Sequence, residues 1–264
     1  MKIASNGIRI HVEEQGPQRG HNDLTLVFLH YWGGSSRTWR HVTAALAPTY
    51  RTIATDHRGW GLSEAPPSGY GLADLADDAQ GVIDALGLQR YVLVGHSMGG
   101  KVAQLLASRR PGGLEGLVLV APSPPQPMRM PAEAREMMAN AYATRETVEM
   151  TIDQVLTARA LRPEDRAQVI SDSLRGAPPA KLAWPRATSL EDISAQVGAI
   201  DVATLVISGE RDRVDPPDLL KAELMSRIPQ SVMKVLPDTG HLSMLESPAE
   251  LAHLIGEFAA SLHR

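Results

Sequence analysis

The sequence predicts an α/β fold: a mostly parallel sheet covered by helices on both faces, interrupted late in the chain by an inserted helical cap. Three observations predict it. The apolar, β-branched runs Leu24 to Leu29, Tyr91 to Val94, Leu114 to Val120 and Val202 to Ser208 are nearly continuous rather than alternating, as strands buried on both faces are. Helical spacing fills the intervals between the early runs, which is the βαβ order. That order fails once, after Ala121, where Pro122, Pro124, Pro125, Pro127 and Pro131 crowd one stretch.

Taken in order, Ile8 to Val12 alternate apolar and polar as a half-buried strand does, with Gly7 and Gly16-Pro17 as turns on either side. The run Leu24 to Leu29 ends in His30-Tyr31-Trp32-Gly33-Gly34-Ser35, and a short helix is expected from about Thr38 to Leu46. A strand over Arg51 to Thr55 delivers Asp56-His57-Arg58-Gly59-Trp60-Gly61-Leu62-Ser63 into a Gly-rich loop. Leu72, Leu75, Ala79, Val82, Ile83 and Leu86 then recur at helical spacing, closed by Gly87. Residues 123–188 carry helical but less periodic signals and five methionines, Met128, Met130, Met137, Met138 and Met150. We expect this segment to be a cap inserted into a core of residues 1–122 and 189–264. So few large aliphatics would bury little core alone. After it come the strand to Ser208, a helix from about Pro217 to Ile228, a strand Ser231 to Leu236, and a last helix opened by Ser247-Pro248 as N-cap and first-turn proline.

Composition bounds the function. With 26 basic and 30 acidic residues in 264 and no long run of either sign, nothing points to nucleic acid or an anionic membrane surface. The chain has no cysteine, which excludes a disulfide framework, a thiol nucleophile and a zinc-thiolate site. No apolar signal core follows Lys2, and no stretch reaches the roughly 18 apolar residues of a membrane span. A cytoplasmic protein is the expectation, and a homo-oligomer stays open.

The chemistry centres on Gly95-His96-Ser97-Met98-Gly99. An apolar run leads into it and a helical pattern (Val102, Leu105, Leu106) leaves it, so Ser97 falls on a sharp strand-to-helix turn, the context of a nucleophile elbow. A serine hydroxyl is a poor nucleophile at neutral pH and needs a base, which in turn needs an orienting group. Asp212 just past the strand ending at Ser208-Gly209, and His241 just past the strand ending at Leu236, belong to the carboxyl rim where open α/β sheets bind ligands. Asp215, three residues beyond Asp212, is the rival acid.

On these residues the chain resembles the α/β-hydrolase superfamily over essentially its whole length. Four stretches carry the resemblance in order: Leu29 to Ser35, Asp56 to Ser63, Gly95 to Gly100, and Gly209-Glu210-Arg211-Asp212 with Gly240-His241. Within the family it looks most like small bacterial esterases and cofactor-free haloperoxidase or perhydrolase relatives. The resemblance implies an eight-stranded, mostly parallel sheet with a variable cap. It assigns Ser97 as nucleophile, His241 as base, Asp212 as its partner, and the backbone N–H groups of Met98 and Trp32 as the oxyanion hole. Where the family usually has His-Gly, this chain has His30-Tyr31, so Tyr31 could line the pocket, as could Trp60. His30 and His96 are expected as structural hydrogen-bonding residues, Asp56 to Ser63 as scaffold. The methionines are expected as gap-filling core, with an adaptable apolar lining as the alternative.

The implied function is a serine hydrolase cleaving a carboxylic ester or related acyl bond of a small-molecule substrate, with no metal and no organic cofactor. Serine at the elbow argues against haloalkane dehalogenase and epoxide hydrolase chemistry, which in the family that the chain resembles uses aspartate there. C–C bond hydrolase, lactonase, amidase and perhydrolase remain open. So does a ligand-binding receptor on the same scaffold, since fold alone does not settle function.

Overall fold

The computed structural model describes residues 1–18 and 23–262. Its strands, in chain order, are β1 (Lys2–Ser5), β2 (Ile8–Gln15), β3 (Thr25–Leu29), β4 (Arg51–Thr55), β5 (Tyr91–His96), β6 (Leu114–Val120), β7 (Ala203–Gly209) and β8 (Ser231–Leu236). They form one sheet in the order β1-β2-β4-β3-β5-β6-β7-β8. The pairs β1–β2 and β2–β4 are antiparallel and every later pair is parallel. Strand β1 is the strand that sequence reading missed. Its four residues leave only Ser5 buried, so they carry no apolar period to read.

The helices are α1 (Arg40–Leu46), α2 (Leu72–Ala85), α3 (Met98–Ser108), α4 (Ala132–Asn140), α5 (Arg145–Thr151), α6 (Pro163–Arg175), α7 (Pro178–Arg186), α8 (Pro217–Leu220), α9 (Ser243–Glu246) and α10 (Pro248–Ser261). The chain steps one way from β3 to β4 and the other way from β4 to β5. Right-handed crossovers therefore send α1 and α2 to opposite faces. Accordingly α1 packs with α10, and α2 with α3. The expected first helix begins as a 3₁₀ turn over Ser36–Trp39, and the helix expected from Pro217 continues past α8 as a π turn over Lys221–Met225.

Strands β3 and β5 are buried along their whole length. Each fully buried aliphatic there contributes about 1.5–3 kcal/mol, so the strands that carry the candidate site are among the most firmly held. Strand β8 is an edge, with Val232 and Val235 facing solvent. Between β6 and β7 the chain holds α4 to α7 and no strand. Among the described residues no helix is long and apolar enough to cross a membrane.

Candidate active site

Ser97 lies between the end of β5 and the first residue of α3, at φ 53° and ψ −116°. A side chain in that region stores roughly 1–3 kcal/mol of strain, so the surroundings must hold it there. They do: its N–H donates to Val120 O at 3.2 Å, and its carbonyl accepts from Lys101 N–H at 3.0 Å and Ser123 N–H at 3.1 Å. The turn is tight enough that a Cβ at Gly95 would strike the Gly99 carbonyl, and one at Gly99 would strike the carbonyls of Leu29 and His30. Glycine at both positions is a steric requirement. Ser97 reaches the wall of a cavity of about 1190 Å³.

His241 and Asp212 meet because β7 and β8 run parallel with Gly209 opposite Leu236, and both loops leave at the same rim. His241 Nδ1 donates to Asp212 Oδ2 at 2.9 Å, with both side chains buried. The other oxygen, Oδ1, accepts from the N–H groups of Val214 (2.8 Å) and Asp215 (3.1 Å), which fixes the carboxylate plane. With Nδ1 carrying the proton, the lone pair of His241 is on Nε2. His96 Nε2 donates to the His241 carbonyl at 2.9 Å, and the two rings lie 4.8 Å apart. His241 lines the same cavity as Ser97.

Burial alone would push the Asp212 carboxyl up. The charge and hydrogen bond of His241, with the two N–H groups, outweigh it and hold Asp212 below its ordinary value. Burial likewise disfavours a charged His241, but the charge and hydrogen bond of the Asp212 carboxylate lift the imidazole above its ordinary value. Glu246 also braces the loop, accepting from Gly240 N–H at 3.0 Å. Ser247 stands at the helix start as expected but does not cap it with its side chain. Its hydroxyl is taken by Thr239 Oγ1 at 2.7 Å and Arg159 Nη2 at 2.6 Å.

Trp32 comes beside Ser97 through the pairing of β3 with β5, where Leu29 stands opposite Gly95. Among the described residues, the backbone N–H groups of Trp32 and Met98 have no protein acceptor. The peptide bearing the Trp32 N–H is held from behind. Its carbonyl, Tyr31 O, accepts from His30 Nδ1 at 2.6 Å and Gly34 N–H at 3.0 Å. His30 Nε2 accepts from His57 N–H at 2.9 Å, so both ring nitrogens are committed and burial lowers His30 to about 4. His30 and His96 thus hold backbone in place, as expected.

The next two carbonyls are held from the insert. Tyr142 Oη donates to Trp32 O at 2.9 Å and Ser173 Oγ to Gly33 O at 3.0 Å. The Trp32 indole donates to Lys181 O at 3.1 Å, while Lys181 Nζ donates to Tyr142 O at 3.0 Å. The Tyr142 ring stacks on Trp32 at 4.2 Å and fills the space where a Cβ on Gly33, at φ 101°, would sit. Ser35 Oγ donates to Asp172 Oδ2 at 2.8 Å, and Arg37 forms an ion pair with the same carboxylate. Sequence reading missed Tyr142, Asp172, Ser173 and Lys181. They sit in a segment without a motif, and the available signal was only that polar residues on α6 fall on its buried side.

Tyr31 lines the cavity, with its ring 5.2 Å from His96. Trp60 does not, and this corrects the expectation: it is buried behind the cavity, edge-on to Tyr142 at 6.4 Å and pressed against Gly176. The scaffold reading of Asp56 holds, since its carboxylate accepts from Ser36 N–H (2.6 Å) and Leu62 N–H (2.7 Å). All five methionines of residues 123–188 line the cavity, and Met128 and Met138 also pack against the core, so both expected roles are found. Asp215 lines it too but makes no bond to the His241 ring, and Asp212 is the acid in contact.

Comparison with known proteins places the chain in a family. The family model described as alpha/beta hydrolase fold matches residues 25–248. The chain is 28% identical to the AB hydrolase superfamily protein YisY of Bacillus subtilis (strain 168), over 89% of this chain and 91% of that one. It is 31% identical to a 2-hydroxymuconate semialdehyde hydrolase of Pseudomonas putida over 80% and 78% of the two chains. Among solved structures, a thermophilic esterase from Thermogutta terrifontis superposes with a TM-score of 0.86 at 28% identity, covering 100% of this chain and 99% of the other. An eight-stranded sheet, a serine held on a strained turn and these matches along most of the chain lead to one assignment: the protein is an enzyme of the alpha/beta hydrolase fold family.

Proposed function

We propose that the protein is a serine hydrolase that cleaves a carboxylic ester through an acyl-enzyme intermediate. Ser97 Oγ attacks the ester carbonyl carbon while its proton passes to His241 Nε2. The oxyanion accepts from the N–H groups of Met98 and Trp32, and Asp212 steadies the imidazolium. Collapse expels the alcohol, which leaves with the proton from His241. A water then repeats the attack on the acyl carbon, giving its proton to the imidazole, and frees the acid and Ser97.

The observation that carries this reading is the 2.9 Å bond from His241 to Asp212, on the wall of the same cavity that Ser97 reaches from its strained turn. The two unpaired N–H groups beside Ser97 support it, as does likeness to an esterase along the whole chain. A volume of about 1190 Å³ with five methionines on its walls suits a sizeable, largely apolar substrate, and the segment 123–188 would act as the cap that selects it. Function as a cytoplasmic small-molecule enzyme without a metal or organic cofactor is part of the same proposal.

Likeness to the Pseudomonas putida hydrolase favours C–C bond cleavage as the second reading. The test is a pre-steady-state burst of p-nitrophenol from a p-nitrophenyl ester, with labelling by a fluorophosphonate. A burst and label that both vanish in Ser97→Ala support the ester route. Full turnover in that variant would remove it, and labelling without ester turnover would favour the second reading.

A further inference from the structure

His241 takes its orientation from Asp212, but its backbone belongs to the loop that leaves the edge strand β8. A loop at a sheet edge has a neighbouring strand on one side only, so other contacts must fix it. They come from the stretch of chain that follows α5. There a π turn, Ile152–Leu156, closes on itself as Thr157 N–H and Thr157 Oγ1 donate to Ile152 O at 3.0 and 2.9 Å. Single π turns on helices occur frequently at functional sites. Gln154, Val155 and Leu156 of this turn line the same cavity as His241.

This stretch grips the base loop on both sides of His241. On one side Leu242 N–H donates to Leu156 O at 3.0 Å. On the other a carboxylate makes the join: Glu246 Oε2 accepts from Gly240 N–H at 3.0 Å, while Oε1 accepts from Ala158 N–H at 2.8 Å and Arg159 N–H at 3.1 Å. Three backbone donors from two segments converge, and the two oxygens of one carboxylate satisfy them all. The segments meet backbone to backbone, since a Cβ on Gly240 would stand 2.6 Å from Ala158 N. Arg159 Nη2 closes the junction by donating to Glu246 O at 2.8 Å. Glu246 is not among the residues that line the cavity, so any effect it has on the reaction passes through His241.

Resting on the esterase reading above, we propose that Glu246 is a positioning residue for His241: its carboxylate fastens the base loop to Ala158 and Arg159, and so holds the imidazole in register with the cavity wall. Small displacements of a reacting group lower a rate steeply. Both halves of an acyl-enzyme reaction use the same imidazole, so acylation and deacylation should slow together when the join is cut, which lowers kcat and leaves KM nearly unchanged.

The experiment compares Glu246→Ala and Glu246→Gln with the parent protein on p-nitrophenyl acetate, with active sites counted by fluorophosphonate labelling run to completion. In Glu246→Ala, kcat per labelled site should fall about tenfold with KM changed by less than about twofold, and the rate constant of labelling should fall with it. The amide in Glu246→Gln fills the same space and keeps one acceptor oxygen, so it serves one side of the junction and should recover part of the loss. It also carries the test if thermal melting shows the Ala variant unfolded. A merely structural role would lower the melting temperature and the number of labelled sites while leaving kcat per site unchanged. That outcome overturns the proposal, as does a change confined to KM. If the parent protein turns over no ester yet is labelled at Ser97, and labelling slows about tenfold in Glu246→Ala, the positioning role stands and the esterase reading fails.

Discussion

At Ser97 the backbone is held at φ 53°, and chemistry and stability pull in opposite directions there. Replacing Ser97 with Gly removes the side chain that makes this conformation costly, whereas Ala keeps the strain. Both variants should lose ester hydrolysis, but only Ser97→Gly should melt higher, by about 2–4 °C for about 1 kcal/mol of strain released, read by calorimetry against Ser97→Ala. His241 gives a second residue-scale expectation. As base it must be neutral, and Asp212 raises it above 6.5, so kcat/KM should rise with pH through a midpoint above 6.5. Asp212→Asn should lower kcat by about 10⁴-fold, and a pH–rate profile unchanged by that substitution would exclude Asp212 as the partner of His241. Of these residues, Ser97, Asp212 and His241 were legible because each ends a strand next to glycine or a turn. Asp212 ranked over Asp215 in the same loop through the match of Gly209-Glu210-Arg211-Asp212 to the family pattern.

At the scale of elements, the segment after β3 is gripped from two sides. The core holds Tyr31 O through His30, and the insert holds Trp32 O and Gly33 O through Tyr142 and Ser173. The segment between β6 and β7 therefore presses on the loop that carries one of the two unpaired N–H groups. Tyr142→Phe keeps the ring over Gly33 and removes only the hydroxyl, leaving Trp32 O buried and unpaired. We expect kcat to fall about tenfold with KM changed less than twofold, because the bond orients a donor rather than binding substrate. A change confined to KM would contradict that role. The elbow was legible as a strand, a turn and a helix in a row. The grip was not, because Tyr142 lies 110 positions from Trp32 and helices α4 and α7 bury narrow, weakly periodic faces.

For the whole molecule, the sheet order brings three buried histidines, His30, His57 and His96, behind the site. Burial holds all three below their ordinary value, His30 at about 4. An unfolded chain takes up these protons near 6.5 while the folded one does not. The stability they confer is thus fully present above 6.5 and lost as pH falls through the folded value. Unfolding in urea should need progressively less denaturant from pH 6.5 down to about 4, by about 3 kcal/mol for His30 alone. A midpoint flat across that range would show that these rings are not buried neutral.

The sequence by itself determined the α/β class, the succession of strands from β2 onward and the serine on its turn. These follow from short-range periodicity and from residues that only tight turns accept. Only the tertiary structure decided that Trp60 stays behind the cavity, and that Tyr142 and Ser173 hold the loop beside Ser97. Each of those outcomes depends on which faces of distant elements pack together, a balance of many weak contacts that leaves no local trace in the order of residues.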